Sequence, residues 1–185
     1  MEASHSGLVH CLGKAAYRKV SEVRILPPPP VRKGIANMKP QFTIGIFGII
    51  FDEQKRILLC RRRDYDLWNL PGGTMENGES PWDGLKREVK EETGLEVEIS
   101  KLAGVYSKPN KNEIVFSFIC KKIGGKITLN EEADKIEFFE IDKLPPNTSP
   151  KQVERIRDAI ADDREAIFKV QIGKSSIELI KEGKL

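Results

Sequence analysis

No run of apolar residues in this chain approaches the roughly 20 that a membrane-spanning helix requires, and the stretch Phe42 to Phe51 is only strand-sized. A membrane protein is therefore not expected. Leu8-Val9-His10-Cys11-Leu12 is too short, and too interrupted by a polar residue, to be the core of a secretion signal. Cysteine is scarce: Cys11, Cys60 and Cys120 cannot all pair and show no metal-ligand spacing. Cys60 and Cys120 fall in expected strands, which reads as buried, reduced thiols in a cytoplasmic protein. Histidine is scarcer still, with His5 and His10 both near the amino terminus, so no Ser, His and Asp set suggests a nucleophilic mechanism. A broad basic surface is missing too. The net charge is +3, but residues 1–38 hold six Lys or Arg against two Glu, leaving 25 basic and 26 acidic residues beyond. The body is near neutral, and no nucleic-acid partner is indicated.

With 185 residues, 39% of them hydrophobic, the chain can bury one sizeable core. Residues 1–38 have weak periodicity and run into Pro27-Pro28-Pro29-Pro30, which favours extended backbone and blocks helix and sheet ladders. They read as a disordered or spurious extension. Val23-Arg24-Ile25 can be encoded by a T-arm sequence common to transfer RNA genes, which would make Met38 the authentic start. The folded domain is expected over residues 39–166, with 167–185 as an extension whose pattern fits either a strand or a short helix.

Within that domain the β-branched and aromatic run Phe42 to Phe51, the turn Asp52-Glu53-Gln54-Lys55 and the run Arg56 to Arg61 predict a hairpin. Strands are also expected at Glu96 to Ile99, Leu102 to Tyr106, Glu113 to Lys122, Lys126 to Leu129 and Lys135 to Ile141, with a turn at Gly124-Gly125. Ser80 as N-cap and Pro81 at the first position predict a helix over Pro81 to Thr93, ended by Gly94 in a left-handed cap. Ser149, Pro150 and a capping-box Gln152 predict a second helix from Pro150 to about Ala161. This order gives an α/β fold, a mixed sheet with helices on its faces.

The first helix carries the chemistry. Glu88, Glu91 and Glu92 stand at i, i+3 and i+4 on one face, near the end whose dipole disfavours anions. An ordinary solvated helix, with Leu85 and Val89 inward, would mix charge signs on that face, but Lys86 and Lys90 lie elsewhere. A hard divalent cation, Mg²⁺ or Mn²⁺, relieves such crowding and bridges to phosphates.

Gly73, Glu79, Arg87, Glu88, Val89, Glu91, Glu92, Gly94 and Leu95 fill every specified position of G-x5-E-x7-R-E-U-x-E-E-x-G-U, where U is aliphatic. Residues 73–95 thus resemble the box of the Nudix hydrolases, MutT-like proteins among them. The resemblance implies an α/β/α sandwich with a mixed central sheet. It further implies water attack on a nucleoside diphosphate linked to another group, with Mg²⁺ or Mn²⁺ as cofactor. Carried over, Glu88, Glu91 and Glu92 bind metal and Glu88 assists deprotonation of water. Arg87 orients the carboxylates, and Glu79 and the Gly72 or Gly73 carbonyl are further ligands. Some relatives take the base from a downstream loop, here Glu131 or Glu132. Arg61, Arg63, Phe47 and Glu132 are candidate substrate contacts, set against the ordinary reading of exposed strand and loop residues. Trp68, Tyr106 and Phe116 could stack on a base but fit a core better. The leading substrates are nucleoside triphosphates, oxidised ones included. ADP-ribose or nucleotide sugars are the alternative, to which Pro109 adds slight weight. A noncatalytic nucleotide-binding module is the reading from another class, and a homodimer is left open.

Overall fold

Asp52 closes the first hairpin. Its backbone N–H donates to the Arg56 carbonyl at 3.0 Å, while its Oδ1 accepts from Gln54 N at 3.0 Å and Arg56 N at 2.8 Å. This Asx-type turn joins β1 (Thr43–Phe51) to β2 (Ile57–Arg62). The computed structural model describes residues 41–161 and 165–185, so the expectations for residues 1–38 lie outside the described residues.

After β2 come the short strands β3 (Trp68–Asn69) and β4 (Gly72–Thr74), the helix α1 (Pro81–Thr93), and the long strands β5 (Leu95–Lys108) and β6 (Glu113–Gly125). They are followed by β7 (Ala133–Phe139), α2 (Pro150–Ala161), β8 (Ile167–Val170) and α3 (Ser176–Lys181). All eight strands join one sheet, ordered β3-β2-β1-β6-β5-β8, with β4 added to β1 and β7 to β2. The β1–β6 and β5–β8 pairs are parallel and the remaining named pairs antiparallel, which makes the sheet mixed.

Strand alternation separates two apolar faces. On one, Ile46, Ile50, Leu58 and Phe118 pack with Leu85 and Val89 of α1. On the other, Ile49, Leu59, Trp68 and Leu70 pack with Ile156 and Ala159 of α2. The helices therefore sandwich the sheet, and each fully buried aliphatic side chain contributes about 1.5–3 kcal/mol.

Three local expectations need correction. Lys126 to Leu129 forms no strand; Thr128 N–H donates to Thr93 O at 3.0 Å, so this segment finishes the end of α1 instead of pairing in the sheet. Gly124 and Gly125 belong to β6, where Gly125 faces Leu95, and the two strands expected between residues 96 and 106 are one bulged strand, β5. The capping box at α2 does not close. Gln152 Oε1 accepts the Leu70 N–H and the Ser149 N–H donates to Trp68 O at 3.0 Å, so both groups hold the β3 region.

Candidate active site

Helix α1 begins where Ser80 Oγ accepts the Asp83 N–H and ends at Gly94, φ 73°, in the left-handed region that disfavours other residues. Leu85 and Val89 are fully buried, which fixes the helix rotation and turns Arg87, Glu88, Glu91 and Glu92 toward the β4 loop. Arg87 organises these acids. Its Nε and Nη2 grip Glu79 at 2.7 and 3.0 Å, and its Nη1 lies 3.1 Å from both Glu88 Oε1 and Glu91 Oε2. The Glu79 carboxyl is thereby held down to about 2, chiefly by the Arg87 hydrogen bonds.

The glycines set how close the loop comes. A Cβ on Gly73 would lie 2.7 Å from Glu88 Oε1. Gly72, at φ 134°, would put one 2.1 Å from the Ile46 carbonyl oxygen. Gly72 N–H donates to Glu92 Oε2 at 2.8 Å. Burial raises the Glu92 carboxyl to about 7 against that hydrogen bond, with the negative fields of Glu88 and Glu132 pushing the same way. Burial raises Glu88 too, opposed by Arg87.

Glu132 reaches this cluster through a residue the sequence did not single out. Asn130 Nδ2 donates to the Glu91 carbonyl at 2.7 Å, and its Oδ1 accepts from Glu132 N at 2.9 Å and Ala133 N at 2.8 Å. The downstream loop is thus tied to α1.

Among the described residues, no three acid, histidine or cysteine side chains are gathered tightly enough to enclose an ion as they stand. Arg87 holds Glu88 and Glu91, and Gly72 holds Glu92. The donor set nevertheless fits a hard cation, because Glu88 and Glu92 are desolvated and raised in pKa, with neighbouring acids adding to the rise.

Beside the acids opens a cleft of about 670 Å³ lined by Phe47, Arg61, Arg63, Gly72, Glu92 and Glu132. Arg61 is already engaged, two-pronged, with Asp134 at 2.8 and 2.6 Å; Arg63 is exposed, and its backbone N–H donates to Glu132 O at 3.0 Å. Trp68 and Tyr106 are buried, Trp68 edge-on to Phe139 at 4.9 Å between ring centroids. Phe116 stacks on Phe118 at 6.3 Å.

Sequence reasoning missed the opposite wall, formed by Lys108, Lys111, Lys151 and Arg155. A signal for it existed. Gln152 and Arg155 occupy the same inward stripe of α2 as Ile156 and Ala159, where polar residues are out of place.

Comparison with known proteins decides the family. The sequence model described as "NUDIX domain" matches residues 41–161. The chain belongs to the Nudix family. It is a Nudix pyrophosphohydrolase. A MutT-like protein of Streptomyces ambofaciens is 33% identical over 125 residues, covering 68% of this chain and 81% of that protein. An ADP-ribose pyrophosphatase of Methanocaldococcus jannaschii is 37% identical over 109 residues, covering 55% and 64%. A crystal structure of an ADP-ribose pyrophosphatase from Streptococcus suis superposes with a TM-score of 0.59 at 28% identity, covering 71% of this Nudix chain and 100% of that one.

Proposed function

We propose that this Nudix chain hydrolyses nucleoside diphosphate derivatives by water attack on the diphosphate bridge, with Mg²⁺ or Mn²⁺ held by Glu88, Glu91 and Glu92. The observation that carries the reading is the pair of raised carboxylates, Glu88 and Glu92, both held up chiefly by burial and further by the charge of Glu132, beside a nucleotide-sized cleft. The Gly72 carbonyl and Glu79 complete the ligand assignment. A bound Mg²⁺ supplies neutralisation of the diphosphate oxygens and a lowered pKa of water. The remaining work falls to the chain. Glu88 takes the proton of the attacking water, with Glu132 as the loop carboxylate brought nearest to that role. Arg87 keeps the acids apart and oriented, and Gly73 leaves room for the Glu88 carboxylate. Phe47 offers a ring to the base, and Arg61 and Arg63 offer charge to the outer phosphates.

Nucleoside triphosphates, oxidised ones among them, are the leading substrates. ADP-ribose is the second reading, favoured by the names of the Methanocaldococcus relative and the Streptococcus structure. Among the described residues no helix is long and apolar enough to cross a membrane. The buried thiols of Cys60 and Cys120 support a reducing, cytoplasmic setting. Product analysis with and without Mg²⁺ across nucleoside triphosphates, 8-oxo nucleotides, dinucleoside polyphosphates, ADP-ribose and nucleotide sugars tests the reading. Label from ¹⁸O water should enter product phosphate. Hydrolysis without a divalent cation, or a trapped phosphorylated side chain, would overturn it.

A further inference from the structure

Arg155 is 1% exposed, yet its charge has no counter-ion among the described residues. Its Nε and Nη2 share one neutral oxygen, Gln171 Oε1, at 3.0 and 2.8 Å, and Nη1 makes no hydrogen bond to a described residue. The guanidinium is flanked by the rings of Phe47 and Tyr106, 5.2 and 5.4 Å away. The acids whose fields reach it are already engaged. Glu113 pairs with Lys108 at 2.6 Å, and Glu154 pairs with Lys169 at 3.0 Å and accepts from Gln171 at 2.6 Å. Burying a cation this way costs several kcal/mol unless an anion accompanies it.

The neighbours make the same demand. Lys108, Lys111 and Lys151 line the cleft with Arg155, and the acids facing this group are Glu113, Glu154 and Glu178, the last 3.7 Å from Lys111. Among the described residues, Lys151 Nζ donates only to the Gly173 carbonyl, at 2.9 Å. Four cations therefore face three carboxylates, one of which, Glu154, is already shared with Lys169. The desolvated Lys151 is held below the usual lysine range, and Lys111 and Arg155 lower it further.

The lysine end of this wall is set apart from the carboxylates of α1, while Arg155 reaches inward to Phe47, whose place on β1 pairs with Gly72. From β4, which carries Gly72 and Gly73, the sheet runs through β1 and β6 to β5, which ends at Lys108. Three strand spacings are about 14 Å, which sets Lys108 beyond the far end of a diphosphate held at β4. Between them lie Gly45, Phe47 and Leu70, a small and apolar floor suited to a nucleoside.

We propose that Lys108, Lys111, Lys151 and Arg155 form a second anion subsite, which takes a phosphomonoester carried on the nucleoside end of the substrate, away from the diphosphate bridge. The assignment of ends rests on the functional reading above. The subsite is tested without catalysis, by calorimetric titration of the full chain in EDTA with adenosine 3′,5′-bisphosphate, adenosine 2′,5′-bisphosphate and AMP. At least one bisphosphate should bind ten-fold or more tightly than AMP at low salt, and the preference should shrink as salt is raised. Lys111 is exposed and Lys151 half-buried, so the double variant Lys111→Ala/Lys151→Ala should keep the wild-type melting profile and lose at least five-fold of that preference. Equal binding of all three ligands, no binding of any, or a preference that survives in the double variant would overturn the subsite. Inactivity on the substrate panel combined with a bisphosphate preference would sink the hydrolase reading alone.

Discussion

Arg87 and Glu79 form a two-pronged ion pair, Nε to Oε1 at 2.7 Å and Nη2 to Oε2 at 3.0 Å, while the remaining nitrogen of the same guanidinium lies against Glu88 and Glu91. Lysine cannot reproduce this fork. Arg87→Lys should lower kcat by ten-fold or more and shift the Mg²⁺ dependence to higher concentration. Steady-state assays at graded Mg²⁺ check both.

The same pair makes an acid-limb prediction. Folding lowers the Glu79 pKa from 4.5 to about 2, so its contribution to stability is present above 4.5 and lost as pH falls through about 2. Melting curves between pH 5 and 2 should fall less steeply for Arg87→Met than for the parent chain.

Glu92 has the opposite sign. Its pKa rises from 4.5 to about 7 on folding, so its contribution is present below 4.5 and lost as pH rises through about 7. The metal-free chain should therefore lose stability between pH 4.5 and 7.5, and Glu92→Gln should flatten that slope. Added Mg²⁺ should raise the melting temperature at pH 8 and leave it nearly unchanged at pH 4.5, since only ionised carboxylates bind the ion. Glu91→Gln and Glu92→Gln should each lower turnover by about two orders of magnitude or more while remaining folded. Near-normal turnover of either at saturating Mg²⁺ would remove it from the ligand set.

The two loop glycines should separate stability from activity. Gly72→Ala forces a Cβ to 2.1 Å from the Ile46 carbonyl in a backbone conformation closed to alanine, and should destabilise by about 2 kcal/mol or more. Gly73→Ala meets first the tip of Glu88, a flexible side-chain end, so the fold should survive with Glu88 displaced and kcat reduced. Urea unfolding alongside kinetics distinguishes the two.

Burial raises the Cys120 thiol to about 12 and Cys60 still higher, so neither is nucleophilic near neutrality. Iodoacetamide at pH 8 should leave both unlabelled in the native protein and label both in urea. Peptide mass mapping reads this out.

Helix α1 was legible to the residue because its signals are local: Ser80 and Pro81 start it, Gly94 stops it, and Leu85 and Val89 face inward. The box acids were legible for the same reason. Strand partners were not. Nothing within Thr43–Phe51 says that it will pair in parallel with Glu113 to Lys121, since that choice depends on which faces the two helices cover. Lys126 to Leu129 misled because its alternation suits a strand, whereas the Thr93 carbonyl at the end of α1 claims its backbone. Arg155 was overlooked because a charged residue on a helix is normally assigned to solvent, and only the packing of Phe47, Tyr106 and Gln171 shows it inside.

The parallel β1–β6 register, which sets Thr43 opposite Glu113, also fixes the timing of synthesis. β1 leaves the ribosome about seventy residues before its partner, roughly 4–14 s at ordinary elongation rates. Until then one edge of Thr-Ile-Gly-Ile-Phe-Gly-Ile-Ile-Phe is bare, a flat, uncharged and β-prone ribbon of the kind that seeds aggregates. The neighbouring β2 hairpin can form early but shields only the other edge. Nascent-chain survival, more than the equilibrium stability of the finished sheet, should therefore limit soluble yield, and slower growth with holdase chaperones is where that yield is recovered.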